Sequence, residues 1–240
     1  MHAAENIAKL LLAAAFTAGM SIPAQAYEES SVAGGGALEG TVVFRDTVPT
    51  RKIIPTKDVE VCGGAREEPV MQVGPDQSVQ NAVVYLSQVA KGKAWPPTAK
   101  TPEINNVKCR FVPDIQVIRT GNLDVVNSDP MLHNTHGYYG KRSAFNLALP
   151  NQGQRIPVEL PRPGVVRIDC DAHGWMEGWI YAADNPYYAI TGADGKFTIT
   201  DVPPGNYTLV AFQPFIGPVQ QSVTVAAGKP TPLTIELKKP

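Results

Sequence analysis

Turn-forming residues interrupt this chain at short, irregular intervals. Among its 240 residues are 21 glycines and 22 prolines, scattered rather than repeated. Both residue types weaken a helix interior, so punctuation this dense favours short strands joined by tight turns. Between the breaks, apolar residues recur at every second position. Phe111 to Arg119, Gln154 to Leu160, Gly164 to Cys170 and Lys196 to Thr200 all alternate, and Pro157 marks its strand as a sheet edge. No window after residue 26 sustains a helical period. The expected class is all-β. Hydrophobic residues make up 43% of the chain, enough for a core and too many for a disordered polymer. A formal net charge of −1 argues against nucleic-acid binding, which needs a basic excess.

Residues 1–26 read as a secretory leader. Lys9 precedes an apolar run from Leu10 to Met20, and Ala24-Gln25-Ala26 offers small residues for cleavage before Tyr27. The run is too short to cross a bilayer, Pro23 would break it, and no later segment is long and apolar enough to span. The expected location is periplasmic or secreted, with no membrane span once the leader is removed. That setting governs the three cysteines. An oxidising compartment favours pairing, and an odd count leaves one thiol over. Cys62 and Cys109 lie in plain strand-and-turn contexts, whereas Cys170 sits beside His and Met. The expected disulfide is therefore Cys62–Cys109, with Cys170 free.

The pattern divides the rest into three parts: a strand-rich unit over 105–183, a second over 184–240, and an N-terminal β segment over 27–104 that packs on both. Residues 27–36 read as a flexible arm and 91–104 as a surface loop. The stretch 183–187 joins the two later units, as a rigid connection or a hinge. Gly195-x-Phe197-x-Ile199-x-Asp201-Val202-Pro203-Pro204-Gly205-x-Tyr207-x-Leu209 resembles the carboxypeptidase regulatory-like, transthyretin-like β-sandwich module. Such modules are usually accessory rather than catalytic. Few strands lie in 184–240 itself, so Gly40 to Phe44 is a candidate to complete this sandwich instead of the other.

The chemistry concentrates in two loops. Cys170-Asp171-Ala172-His173-Gly174-Trp175-Met176 reads C-x2-H-x2-M between two strands. A thiolate, an imidazole and a thioether on one hairpin loop form a soft donor set, and one more imidazole would complete the His2Cys-plus-Met set of blue-copper sites. His2 leaves with the leader. The remaining histidines, His133, His136 and His173, all fall in this loop or just after Asn127-Ser128-Asp129-Pro130-Met131-Leu132. Histidine used for solvation or core filling would be scattered.

Phe111-x-Pro113, Gly121, Val125-x-Asn127-x-Asp129, His133-Asn134 and Cys170-x-x-His173-x-x-Met176 together resemble the cupredoxins, small blue-copper proteins of the plastocyanin, pseudoazurin and amicyanin kind. The resemblance implies a Greek-key cupredoxin β-sandwich over about 105–183, with an earlier strand near Asn81–Leu86 filling it. It also implies one type 1 copper ion held by His133, Cys170, His173 and Met176. Asn134 would brace the cysteine loop, His136 is an alternative ligand, and Trp175 would cap the site or form a docking surface. Leu132, Trp175 and Trp179 would supply apolar surroundings. The expected function is one-electron transfer without enzymatic turnover. The partner would be a redox protein such as a cytochrome or a periplasmic dehydrogenase, with electrons leaving through an exposed edge of His173. Two other readings use the same residues. One is copper handling, with zinc suited to the same donors. The other is a non-redox envelope scaffold, with Tyr138, Tyr139, Trp175 and Trp179 as its aromatic surface.

Overall fold

The computed structural model describes residues 26–239. The leader expected over 1–26 therefore lies outside the described residues, Ala26 excepted. Among the described residues, helix is confined to the single turn Val59–Cys62 and the 3-10 turn Pro75–Gln77; strands make up the rest of the regular structure.

One sandwich is built from residues 103–183. Its five-stranded sheet runs, in spatial order, Arg142–Leu149, His133–Tyr139, Gly164–Cys170, Glu177–Ala183 and Ile115–Arg119. The facing sheet runs Arg155–Leu160, Gly121–Asn127, Glu103–Val107 and Arg110–Val112. The chain crosses back and forth between the sheets in Greek-key fashion, and two of the pairings are parallel. Alternation explains the core. Val166, Ile168 and Cys170 point inward from one sheet, and Ile104, Phe111, Leu123, Val125 and Leu160 from the other. Each fully buried Leu or Ile contributes about 1.5–3 kcal/mol. The Pro157 strand is an edge strand, where a missing N–H costs no ladder bond.

The smaller sandwich is not confined to the C-terminal stretch. Its sheets run Tyr188–Ile190, Val83–Ser87, Gly205–Gln213, Gly217–Val225, and Lys196–Val202, Gly36–Phe44, Pro230–Leu237. Gly36–Phe44 and Val83–Ser87 each lie between two C-terminal strands. Gly40 is needed where it sits, because a Cβ there would lie 2.7 Å from the Leu233 carbonyl oxygen and 2.8 Å from the Phe197 ring. The strand near Asn81–Leu86 thus does not fill the ligand-bearing sandwich. Its apolar run is buried on both faces, with Val84 and Leu86 in the small core and Val83 at the junction. A continuous apolar run carries no mark of which sheet it joins.

The two sandwiches meet through Val83, Ile115, Tyr181, Ala183 and Phe212. Tyr85 stacks on Tyr181 with ring centroids 4.0 Å apart, and Trp179 packs on Phe212 at 5.4 Å. The connection over 183–187 is anchored rather than hinged. Tyr187 is fully buried; its hydroxyl donates to the Asp201 carbonyl at 3.1 Å and accepts from the Lys93 N–H at 2.8 Å. Asn185 donates to the Leu86 carbonyl at 3.0 Å. The N-terminal arm is likewise tied down. Glu28–Glu29 pairs in parallel with Lys91–Gly92, inside the stretch expected as a surface loop, and the Tyr27 hydroxyl donates to the Lys93 carbonyl at 2.6 Å.

Between Gly36–Phe44 and Val83–Ser87 the chain leaves the smaller sandwich and forms a strap. Thr50–Ile53 pairs antiparallel with Arg66–Pro69, and Val59–Cys62 lies between them. The Cys62–Cys109 disulfide ties the strap to the larger sandwich, as do the Arg51–Glu177 ion pair at 2.9 Å and the Arg110–Glu68 ion pair. Cys170 is the free thiol.

Because two inner strands of the smaller sandwich, Gly36–Phe44 and Val83–Ser87, precede the larger sandwich in the chain, residues 180–238 should not fold alone. An isolated peptide of that span is expected to show collapsed amide dispersion by NMR. The full mature chain should show a folded β spectrum.

Candidate metal centre

His133 opens one strand and Cys170 closes its antiparallel neighbour. The register pairs Thr135 with Cys170, so His133, two residues back on the same face, points to the same end of the core as the cysteine. The loop before His133 is set by Asn127, which is fully buried. Its side-chain amide donates to the carbonyls of Met131 and Leu149 at 2.8 and 2.9 Å, and its carbonyl oxygen accepts the Asp129 N–H at 3.0 Å. After Cys170 the chain makes two tight turns: His173 N–H donates to the Cys170 carbonyl at 3.1 Å, and Met176 N–H donates to the His173 carbonyl at 2.9 Å. These turns bring His173 back over the sulfur.

The result is a buried triangle of donors. Cys170 Sγ lies 3.6 Å from His133 Nδ1 and 3.7 Å from His173 Nδ1, and the two Nδ1 atoms are 3.2 Å apart. His133 and His173 are fully buried and Cys170 nearly so. An ion at about 2.0–2.1 Å from nitrogen and about 2.3 Å from sulfur would hold such donors about 3.3–3.8 Å apart, whether its geometry is trigonal or tetrahedral. The triangle is close to that spacing, so the residues fit a soft or borderline metal ion.

The outer nitrogens explain why the inner ones converge. His133 Nε2 pairs with Asp129 Oδ2 at 2.9 Å, and His173 Nε2 with Asp58 Oδ2 at 2.9 Å. A carboxylate accepts only, so each Nε2 carries the proton and each Nδ1 presents its lone pair to the centre. Asp129 is itself buried and also accepts the N–H groups of Lys108 and Cys109 at 2.6 and 2.9 Å. Burial pushes the Cys170 thiol up, opposed by backbone hydrogen bonds from Asn134, His173 and Ala172 that favour the thiolate. Burial likewise pushes the His133 imidazole down, with Asp129 pulling the other way.

The other expected site residues are distributed unevenly. Met176 is buried in the same core cluster as Cys170. Trp175 is half-buried and meets the His173 ring edge-on at 5.2 Å between centroids. Asn134 braces the loop through its backbone, its carbonyl accepting the Asp171 N–H at 3.1 Å. His136 is not at the centre. Strand alternation turns it to the outer face, where its ring stacks on Tyr138 at 4.0 Å and Nε2 lies 2.9 Å from Ser143 Oγ. Trp179 belongs to the junction with the smaller sandwich, and Leu132 is 48% exposed, so neither encloses the triangle. His173 offers no exposed edge, because Trp175 and the strap carboxylate of Asp58 cover it. Sequence reasoning missed both carboxylates. Asp129 stands at the end of the Val125-to-Asp129 motif, four residues before His133; Asp58 lies 115 residues from its partner and carries no local signal.

The larger unit is a two-sheet β-sandwich with the His–Cys–His triangle at one end. The smaller unit matches the family model of the carboxypeptidase regulatory-like domain over residues 180–238. A 57-residue stretch is 40% identical to the Aspergillus flavus protein named "Probable rhamnogalacturonate lyase A", covering 24% of this chain and 11% of that protein's length. Among solved structures, amicyanin from Paracoccus versutus aligns at a TM-score of 0.32 and 18% identity, over 36% of this chain and 85% of its own. A purple cupredoxin from Nitrosopumilus maritimus aligns at 0.31 and 21%, over 34% and 99%. The copper-containing nitrite reductase of Thermus scotoductus aligns at 0.31 and 21%, over 38% of this chain and 24% of its own. Among the described residues, no helix is long and apolar enough to cross a membrane.

The geometry sets two expected outcomes. Asp129→Ala strands the His133 Nε2–H and two backbone donors in the core, and should cost about 3 kcal/mol in chemical denaturation of the metal-free protein. Since the Cys170 thiol is pushed up, a metal ion entering at neutral pH displaces its proton. Metal affinity should then rise about tenfold per pH unit between about pH 6 and 8, read by chelator competition, and Cys170→Ser should flatten that slope.

Proposed function

We propose that this chain is an exported one-electron carrier whose larger sandwich holds a single type 1 copper ion. The observation that carries the reading is the buried His133–Cys170–His173 triangle, with both outer nitrogens already committed to carboxylates. His133, Cys170 and His173 would hold the ion, with the buried Met176 thioether as a further candidate donor. Bound there, copper would supply one-electron redox chemistry. The protein residues do the rest. The strand register fixes the donor spacing, and Asp129 and Asp58 keep the Nδ1 lone pairs directed inward. The core formed by Leu149, Ile168 and Phe111 keeps water from the sulfur.

With His173 covered, the contact that favours electron exchange is Trp175, which touches the His173 ring and lies beside the exposed Gly174. A redox protein, such as a cytochrome or a periplasmic dehydrogenase, would dock over this loop. The chain would be a carrier and not an enzyme, since the donors are the protein's own side chains in a closed core. Export accords with the disulfide, which persists in oxidising compartments. The regulatory-like sandwich would serve as a rigid accessory module.

The test is absorption and electron paramagnetic resonance of copper-loaded protein beside Cys170→Ser. The parent is expected to show intense thiolate-to-copper(II) absorption in the visible, and the variant to lose it. A colourless parent that binds only monovalent copper or only zinc, or identical parent and variant spectra, would overturn the electron-carrier reading.

A further inference from the structure

The strap brings a charged group from outside the larger sandwich to its candidate centre. Asp58 stands in the excursion between Gly36–Phe44 and Val83–Ser87, both of which belong to the smaller sandwich. Its backbone is left-handed, with φ 52° and ψ 33°. Aspartate and asparagine are enriched there among non-glycine residues, because a short polar side chain tolerates the conformation. The carboxylate that this turn presents reaches His173 Nε2 at 2.9 Å. The turn is held on both sides. Asp58's own carbonyl accepts the N–H groups of Val61 and Cys62 at 3.0 and 2.8 Å, and Cys62 is bonded to Cys109 of the larger sandwich. The two disulfide sulfurs and a ring nitrogen of His173 all lie within 4.8 Å of one another, so the tether abuts the imidazole it serves.

His133 receives its carboxylate from its own loop, four residues away. His173 has no acidic partner on its own loop: Asp171 turns outward to His136 at 3.1 Å. The acceptor for His173 is supplied by the strap. We infer that Asp58 is a positioning residue for the centre: reaching in from the strap, outside the larger sandwich, it fixes the His173 tautomer and lowers the reduction potential of copper held by the triangle. This deepens the electron-carrier reading and rests on it. The physical reason is charge. A carboxylate accepting the Nε2 proton makes the imidazole a stronger donor, and a full negative charge beside the ligand shell favours the divalent ion over the monovalent one. The side chain of Asp58 is 37% exposed, so solvent screens part of this. The disulfide acts through Asp58 by keeping the turn against the ring.

The experiment compares the copper-loaded parent with Asp58→Asn. Asparagine keeps the left-handed turn and the side-chain volume while removing the charge, so folding is preserved. The expected result is a visible spectrum that stays thiolate-to-copper in character. The preference for divalent over monovalent copper should fall about tenfold, which is a rise in potential of ~59 mV for one electron. Replacing Cys62 and Cys109 together by alanine should raise the potential in the same direction, and should add little in the D58N background. A D58N potential within twofold of the parent in that preference, or a disulfide effect that is fully retained with D58N, would overturn the inference. In the metal-free protein, nitrogen-15 shifts should place the His173 proton on Nε2 in the parent and on a mixture of both nitrogens in Asp58→Ala; an unchanged tautomer also overturns it. A parent without thiolate-to-copper absorption defeats the carrier reading first, and the tautomer measurement then still decides whether Asp58 positions His173.

Discussion

The cross-strand register between His133–Tyr139 and Gly164–Cys170 governs the rest of the centre. Side chains alternate faces, so slipping either strand by one residue would turn its ligand to solvent. With Thr135 opposite Cys170, one imidazole and one sulfur share the inner face at one end of the sandwich. The second imidazole then needs only a short return, which the two turns after Cys170 supply. Three donor atoms whose lone pairs converge in a dry core are unfavourable by themselves. The larger sandwich tolerates them because the strands on both sides are fully packed, and because each imidazole spends its one proton on a carboxylate.

What the sequence made legible was what lies close together along the chain. The C-x2-H-x2-M loop carries three chemically distinctive residues within seven positions, and alternation in Gly164 to Cys170 already set Cys170 inward. Pro157 announced an edge because proline cannot donate to a ladder. The Cys62–Cys109 pairing came from parity and context, since only Cys170 had metal-ligand neighbours. His133 and His136 could not be separated by composition, and the structure separates them by strand parity alone. Asp58 was illegible: it reads as one more surface acid until a strap folds 115 residues of separation back onto His173. The Asn81–Leu86 region misled for a different reason. Its valines and leucine declare burial, but an apolar run does not say which of two cores it enters. Likewise, nothing in 27–36 shows that Tyr27 will find the Lys93 carbonyl and pin the arm.

The division into units also changes meaning. Read linearly, the chain has an N-terminal segment and then two modules. In space, the smaller sandwich encloses the larger one in sequence, taking strands before and after it. The family match over 180–238 covers the C-terminal strands of that sandwich but not Gly36–Phe44 or Val83–Ser87, which sit between them. Such an arrangement raises the sequence separation of native contacts, which slows folding even where stability is ample. It also supplies the excursion that reaches the ligand loop from outside the larger sandwich.

A domain strung on one linker swivels; this one is mounted on two legs. The chain enters the larger sandwich after Ser87 and leaves it at Ala183, and both attachments return to the same small core, with the Tyr85–Tyr181 stack clamped between them. Whatever grips the smaller sandwich therefore holds the histidine–cysteine triangle at a set distance and bearing. The accessory unit behaves as a ruler, where a flexible tether would have been a leash.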